Sequence, residues 1–245
     1  MVRNEHLQAR QRFDKALSMR KDLSLLWILS GVNLAQMDSL AAAEEQLQTA
    51  VELFPDDPEI NYYLGFVCNR QGKKACARLH LEKSLALDGN NVQTMLALAA
   101  LYDEDDEHER AVKIYEALLK SESESAIVLN NYAYHLAERN LRLDEARSMA
   151  EKALALEAEN GAYWDTLGWI LFRQGDASGA REKIEKSIDL SPNSAEVWEH
   201  FGDVLVALGE KEPARRAYER ALELEPERQQ VQAKLNKLTP QEEKM

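Results

Sequence analysis

Residues 195–228 read AEVWEHFGDVLVALGEKEPARRAYERALELEPER. Apolar residues recur there twice at helical spacing, first as Trp198, Phe201 and Leu205, then as Ala214, Ala217, Tyr218, Ala221 and Leu222. Between the two runs stands Leu208-Gly209, where glycine supplies the left-handed backbone that ends a helix, and Pro226 stops the second run. The stretch predicts two antiparallel helices joined by a tight turn.

Outward from this stretch the pattern repeats. A small-residue column runs Ala43, Ala77, Ala111, Ala146, Ala180, Ala214, at spacings of 34, 34, 35, 34 and 34. A second column runs Gly31, Gly65, Ala99, Ala133, Gly168, Gly202, at spacings of 34, 34, 34, 35 and 34. The single odd step in each places one extra residue between Ala133 and Ala146, and the turn from Asn140 to Asp144 is where it fits. Pro55, Pro192 and Pro226 keep the same phase, and Gln71-Gly72 and Gln174-Gly175 repeat the turn. Small residues in fixed columns are what close helix packing requires, since helix axes about 8–10 Å apart leave no room for larger side chains. A fixed period of this length means stacked supersecondary units.

The order Trp, Leu, Gly, then Tyr or Leu, later Ala, an aromatic or Leu, Ala, and a closing Pro resembles the tetratricopeptide repeat. Six units carry it: residues 24–57, 58–91, 92–125, 126–160, 161–194 and 195–228. The third departs most, with Met95, Ala99 and Asp106 where Trp, Gly and Gly are usual. The resemblance implies an all-α fold, a right-handed superhelical solenoid of antiparallel helix pairs whose first helices line a concave wall. Residues 1–23 form an N-terminal helix, a half repeat or cap, because Ala9, Phe13, Ala16 and Leu17 stand 34 residues before Ala43, Leu47, Ala50 and Val51. A start in mid-unit reads equally as a cap or as a chain cut from a longer one. Residues 229–245, with Val231, Leu235 and Leu238, read as a C-terminal capping helix and tail.

Charge and composition narrow the function. Thirty basic against 43 acidic side chains give a net charge of -13, which repels a polyanion and argues against nucleic acid as a partner. Six of the basic residues (Arg3, Arg10, Arg12, Lys15, Arg20, Lys21) cluster at the start, against Glu5 and Asp14. Cys68 and Cys76 are too few for a disulfide scaffold and lie in no metal or haem spacing, so they read as small core or surface residues; no metal and no cofactor is expected. The apolar stretch LSLLWILSGVNLA, residues 23–35, is too short to cross a bilayer, and Trp27, Gly31 and Leu34 fall on the repeat columns, so it reads as a first helix without membrane insertion. The acidic run from Asp103 to Glu109 reads as a solvated turn. The five histidines are dispersed, and no GxSxG, phosphate loop or nucleophile grouping appears, so an enzyme is not expected.

First-helix residues outside the packing columns should line the wall. Unit by unit they are Ile28, Leu29 and Val32; Tyr62, Tyr63, Phe66 and Asn69; Leu96, Ala97, Ala100 and Asp103; Asn130, Asn131 and Tyr134; Asp165, Thr166, Trp169, Phe172 and Arg173; Glu199, His200 and Asp203. Rings cover apolar side chains at low entropy cost, and Asn pairs with both N–H and C=O of an extended backbone, so this set suits a peptide. Asn131, Tyr134 and Trp169 form the central expectation; the competing reading packs the aromatics into the seams between units. His200, beside Glu199 and Asp203, is expected to titrate near neutral pH and make binding pH-sensitive.

Two narrower resemblances bear on the partner. Some tetratricopeptide proteins grip a chaperone's C-terminal carboxylate through Lys, Asn, Asn, Lys and Arg on successive first helices; here Ile28, Val32, Tyr63, Gln93 and Ala97 stand at those places, which argues against such a clamp. The segments at 129–140, 162–176 and 197–210 resemble the C-terminal repeats of long bacterial tetratricopeptide proteins, many of them envelope lipoproteins and some recruiters of a protease. The expected function is a non-catalytic scaffold or adaptor holding a protein or peptide segment in its groove. The competing expectation is self-assembly into homo-oligomers through open repeat ends. The expected location is cytoplasmic, or periplasmic if the chain is a truncated lipoprotein.

Overall fold

The computed structural model describes residues 2–121 and 124–238; the tail expected at 239–245 lies outside the described residues. The described residues form helices and no strand. They fall into two compact units, Met1–Leu118 and Leu119–Met245. The first unit holds α1 (Val2–Met19), α2 (Ser24–Gln36), α3 (Leu40–Leu53), α4 (Pro58–Arg70), α5 (Lys74–Leu87), α6 (Val92–Glu104) and most of α7 (His108–Ser121). The second holds α8 (Ala126–Glu138), α9 (Leu143–Leu156), α10 (Gly161–Arg173), α11 (Ala177–Leu190), α12 (Ala195–Ala207), α13 (Lys211–Leu224) and α14 (Gln229–Leu238). In the first unit consecutive helices from α1 through α6 pack on one another, and α2 also touches α4; in the second the consecutive helices α8 through α14 do the same, and α10 touches both α8 and α12.

The two small columns are where paired helices meet. All six alanines of the first column are fully buried. A Cβ added at Gly65 would lie 2.7 Å from Leu81 Cγ, and one at Gly168 would lie 2.6 Å from Ile184 Cγ1, so only hydrogen fits. Against each glycine of the second column packs a large buried side chain 16 residues on: Leu47, Leu81, Ile184 and Tyr218.

The turns are equally regular. A left-handed residue recurs at Asp38, Gly72, Asp106, Asn140, Gly175 and Gly209. In every turn the next N–H reaches back five residues to a carbonyl of the first helix, as in Lys73 to Cys68 and Glu210 to Leu205, each at 2.9 Å. This bond pattern closes a helix whose C′ residue is left-handed. Between α8 and α9 the connection runs from 139 to 142, one residue longer than the others, and the additional residue there, Arg142, is itself left-handed at φ 46°. Its guanidinium forks onto Glu145 at 2.7 and 2.6 Å and lies over the Tyr132 ring at 5.5 Å.

The ends follow the same logic. Leu17 of α1 packs with Trp27, Ile28, Ala50 and Ile60, so the 23–35 stretch is an ordinary first helix. No helix among the described residues is long and apolar enough to cross a membrane. Ile28, expected on the wall, is 4 % exposed because α1 covers it. The acidic turn is more than solvated: Lys74 and Arg78 reach Asp105, and Arg78 and Arg110 reach Glu107. Fixed acids thus tie α5 to the next turn.

Candidate partner-binding face

On the first unit the α2 and α4 faces leave a cavity of about 280 Å³ lined by Val32, Ala35, Gln36, Leu47, Tyr63, Phe66, Val67 and Arg70. Beside it the rings of Tyr62 and Tyr63 meet edge-on at 5.0 Å, and Tyr62 stacks with Phe66 at 6.4 Å. Burial, followed by the neighbouring Tyr63, raises the pKa of Tyr62, so its hydroxyl stays protonated. Phe66 remains 40 % exposed and Leu29 42 %. Arg70 is held at the rim, donating to the Ala35 carbonyl at 2.9 Å and to Asp38 at 3.2 Å. Asn69 is half-buried, as are Leu96 and Ala97 on α6, while Ala100 is exposed.

On the second unit the corresponding side chains are joined to one another. Trp169 is 7 % exposed, stacks on His200 at 4.1 Å between centroids with 14° between planes, and donates its Nε1–H to Glu138 at 2.6 Å. Phe172 also stacks on Trp169, at 5.1 Å between centroids, and Arg173 lies 5.8 Å from the Trp169 ring. Tyr134 donates to Glu196 at 2.5 Å; burial, then Glu196 and Glu138, push its pKa far up, so the hydroxyl stays protonated and keeps this donor role. His200 Nδ1 pairs with Asp165 at 2.9 Å, both side chains 7 % exposed. Thr166 is buried and bonds its own helix at the Ala162 carbonyl, and Asn130 is buried against Asn131 with its Oδ1 unpartnered.

Several sequence expectations change on this geometry. Trp169, one of the three central residues, fills the seam between α10 and α12 instead of standing free, because His200 and Glu138 saturate both its face and its N–H. Burial opposes a charge on His200, yet Asp165, with Glu196 and Glu138, outweighs it and raises the pKa to about 9. The imidazolium therefore persists through neutrality, and the expected titration near pH 7 is replaced by one near 9. Glu199 and Asp203 are spent inside the chain: Arg228 and Lys234 reach Glu199 at 2.8 and 2.7 Å, and Lys234 and the Tyr218 hydroxyl reach Asp203 at 2.6 and 2.7 Å. These pairs tie α14 to α12, so the carboxylates of Glu199 and Asp203, expected to line the wall, are neutralised within the chain. Asn131 and Tyr134 remain half-buried.

Three features escaped the sequence reading. Glu138 and Glu196 orient Trp169 and Tyr134 from positions with no helical-spacing signal. Arg228 and Lys234 lie in a segment read only as a polar cap. Cys68 and Cys76, taken as unpaired, are joined in a disulfide, because the end of α4 and the start of α5 bring their Cα atoms to 5.8 Å, within bridging range.

Gly- and Ala-registered helix pairs repeated along the chain define a helical repeat protein, a class that serves generally as protein-interaction scaffolds. Profiles of the tetratricopeptide repeat match residues 28–92 and 135–195, 93–125, and 171–238, and the chain belongs to that family. A TPR repeat-containing protein of Pseudomonas aeruginosa is 25 % identical over 174 residues, covering 71 % of this chain and 24 % of its own length, so the chain spans about a quarter of that relative. The crystal structure of a tetratricopeptide repeat protein from Parabacteroides merdae aligns over 96 % of this chain and 93 % of its own at a TM-score of 0.80 and 15 % identity. The Cut9–Hcn1 hetero-tetramer of the APC/C aligns over 97 % of this chain and 46 % of that one, at 0.82 and 13 %. Both likenesses concern the fold.

Proposed function

We infer that this chain is a non-catalytic bacterial scaffold that receives an apolar side chain of a partner protein segment in the α2–α4 cavity, with Tyr62, Tyr63 and Phe66 as its aromatic contacts. The observation that carries the reading is that cavity: about 280 Å³, on a first-helix face, floored by aliphatic side chains, and bordered by a ring 40 % exposed. Concave apolar sites with a few fixed polar groups are the usual form of a recognition site, and Arg70 is such a group. The net charge of -13 supports a protein partner over nucleic acid. A disulfide supports an oxidising compartment, hence the periplasmic reading over the cytoplasmic one. A pull-down from host lysate with wild type, Tyr63→Ala/Phe66→Ala and Asn131→Ala/Trp169→Ala tests it, after circular dichroism confirms folding. A protein captured by the wild type and lost by the Tyr63/Phe66 pair supports the cavity; equal capture by that pair overturns it.

Self-association is the second reading. Leu7, Met19, Leu23, Leu25 and Leu29, in α1, α2 and the link between them, are each more than 40 % exposed, a run of apolar surface at this end of the first unit. Light scattering across concentration distinguishes the two: a concentration-independent monomer mass removes this second reading.

A further inference from the structure

The six hairpins supply their own controls for Cys68 and Cys76. At the place of Cys68 the other five hairpins carry Leu34, Tyr102, Leu136, Leu171 and Leu205, and at the place of Cys76 they carry Ala42, Arg110, Glu145, Gly179 and Pro213. Neither position needs sulfur for the fold. A third residue breaks pattern beside them. At the place of Glu44 the others carry Arg78, Val112, Arg147, Arg181 and Arg215, of which Arg78 and Arg181 reach acids in the next turn, Glu107 and Glu210. Only the first hairpin turns the sign around and presents a carboxylate, and it presents it to the one turn flanked by two cysteines.

Glu44 on α3, Cys68 at the end of α4 and Cys76 in the first turn of α5 place a carboxylate oxygen and both sulfurs within 4.8 Å of one another. We propose that, once the disulfide is reduced, Glu44, Cys68 and Cys76 form a three-ligand site for a thiophilic divalent cation such as Zn²⁺. Two thiolates and one carboxylate, with Zn–S of about 2.3 Å and Zn–O of about 2.0–2.2 Å, leave a fourth tetrahedral position for water. Cys68 is buried and Cys76 half-buried, so the site has a covered floor and an approach from outside. Gln71 and Lys73 both donate to Glu44 Oε2, at 2.8 and 2.5 Å; Gln71 can hold the carboxylate as an outer-sphere donor, and the Lys73 side chain, 49 % exposed, has solvent to turn into.

The steps balance. A dithiol reductant transfers two electrons and two protons to the Cys68–Cys76 bond, giving two thiols here and a disulfide on the reductant. The cation then replaces the two thiol protons, which leave to solvent. Disulfide and metal exclude each other, because the same sulfur electron pairs serve both. The disulfide ties α4 to α5, whereas the metal form would add α3 and so tie the first hairpin to the second.

Co²⁺ serves as the probe, added to the full chain with its disulfide intact and after anaerobic reduction with a phosphine, thiol counts confirming each state. The expected result is one equivalent bound by the reduced chain, with thiolate-to-cobalt charge-transfer absorption, displaced by Zn²⁺, and none bound by the oxidised chain. Cys76→Ser should abolish the band while circular dichroism stays unchanged. Glu44→Gln should keep some thiolate absorption and weaken affinity by roughly tenfold or more, the loss typical when a site's supporting groups are changed. A reduced chain with two free thiols and no band overturns the site, and a Glu44→Gln variant of unchanged affinity overturns the role of Glu44.

Discussion

Phe66 and Trp169 occupy the same place in their hairpins, one residue after the Gly column, and so does Tyr134. Their fates differ. Phe66 stands 40 % exposed beside an apolar cavity, while Trp169 and Tyr134 are tied to Glu138, His200 and Glu196. The columns before them change in step: Tyr62 and Tyr63 in the first unit become Asn130 and Asn131, then Asp165 and Thr166, then Glu199 and His200 in the second. A repeat position fixes the direction of a side chain, but its neighbours decide whether that side chain is available. In the first unit the neighbours are aliphatic and leave rings open; in the second they are acids and an imidazolium, and they close on the rings.

The sharpest way to break this comparison is Trp169→Ala. If the ring is a seam residue, its loss should cost about 3–5 kcal/mol in urea unfolding, as for other buried aromatics. A cost below about 1 kcal/mol would return Trp169 to the free face. Next in size is the dependence on pH. His200 has its folded pKa raised to about 9 from an ordinary 6.5, so its contribution is fully present below about pH 6.5 and is lost as pH rises through 9. Stability should therefore fall between those limits by on the order of 2–3 kcal/mol, and Asp165→Asn should flatten the profile. Unchanged stability from pH 6.5 to 9.5 would show the pair to be unimportant. Phe66→Ala should do the reverse of Trp169→Ala, weakening the captured partner by tenfold or more, about 1.4 kcal/mol, while unfolding shifts by less. The smallest effect is expected from Lys234→Met, which leaves Glu199 with Arg228 alone; α14 amides should lose hydrogen-exchange protection at a cost of about 1 kcal/mol, and unchanged protection would mean that the apolar contacts of Val231, Leu235 and Leu238 seat the helix without the Lys234 ion pairs.

The fold was open to the sequence because its determinants are local to a hairpin: a small residue on each of the two helices and a turn with left-handed backbone between them recur within one period. Even the longer connection at 139–142 registers as a shifted column. The site was open only in part, because availability depends on residues far along the chain. Glu196 is 62 positions from Tyr134, His200 is 35 from Asp165, and Lys234 is 31 from Asp203. No spacing rule links such pairs, so exposure had to be assumed, and the assumption failed where opposite charges or donors met. Glu44 escaped for the same reason: its oddity shows only when the six hairpins are laid in register.

The alternation of residues in the left-handed turns has a kinetic meaning. Gly72, Gly175 and Gly209 adopt that backbone freely, whereas Asp38, Asp106 and Asn140 carry a Cβ through it at a cost of up to about 1 kcal/mol. In a stacked array each hairpin's stability is its own plus that of its contacts, so small local differences decide the order of opening. The hairpins closed by Asp38, Asp106 and Asn140 are thus the seams along which the array would first breathe, and the glycine-closed hairpins are the islands that hold while they do.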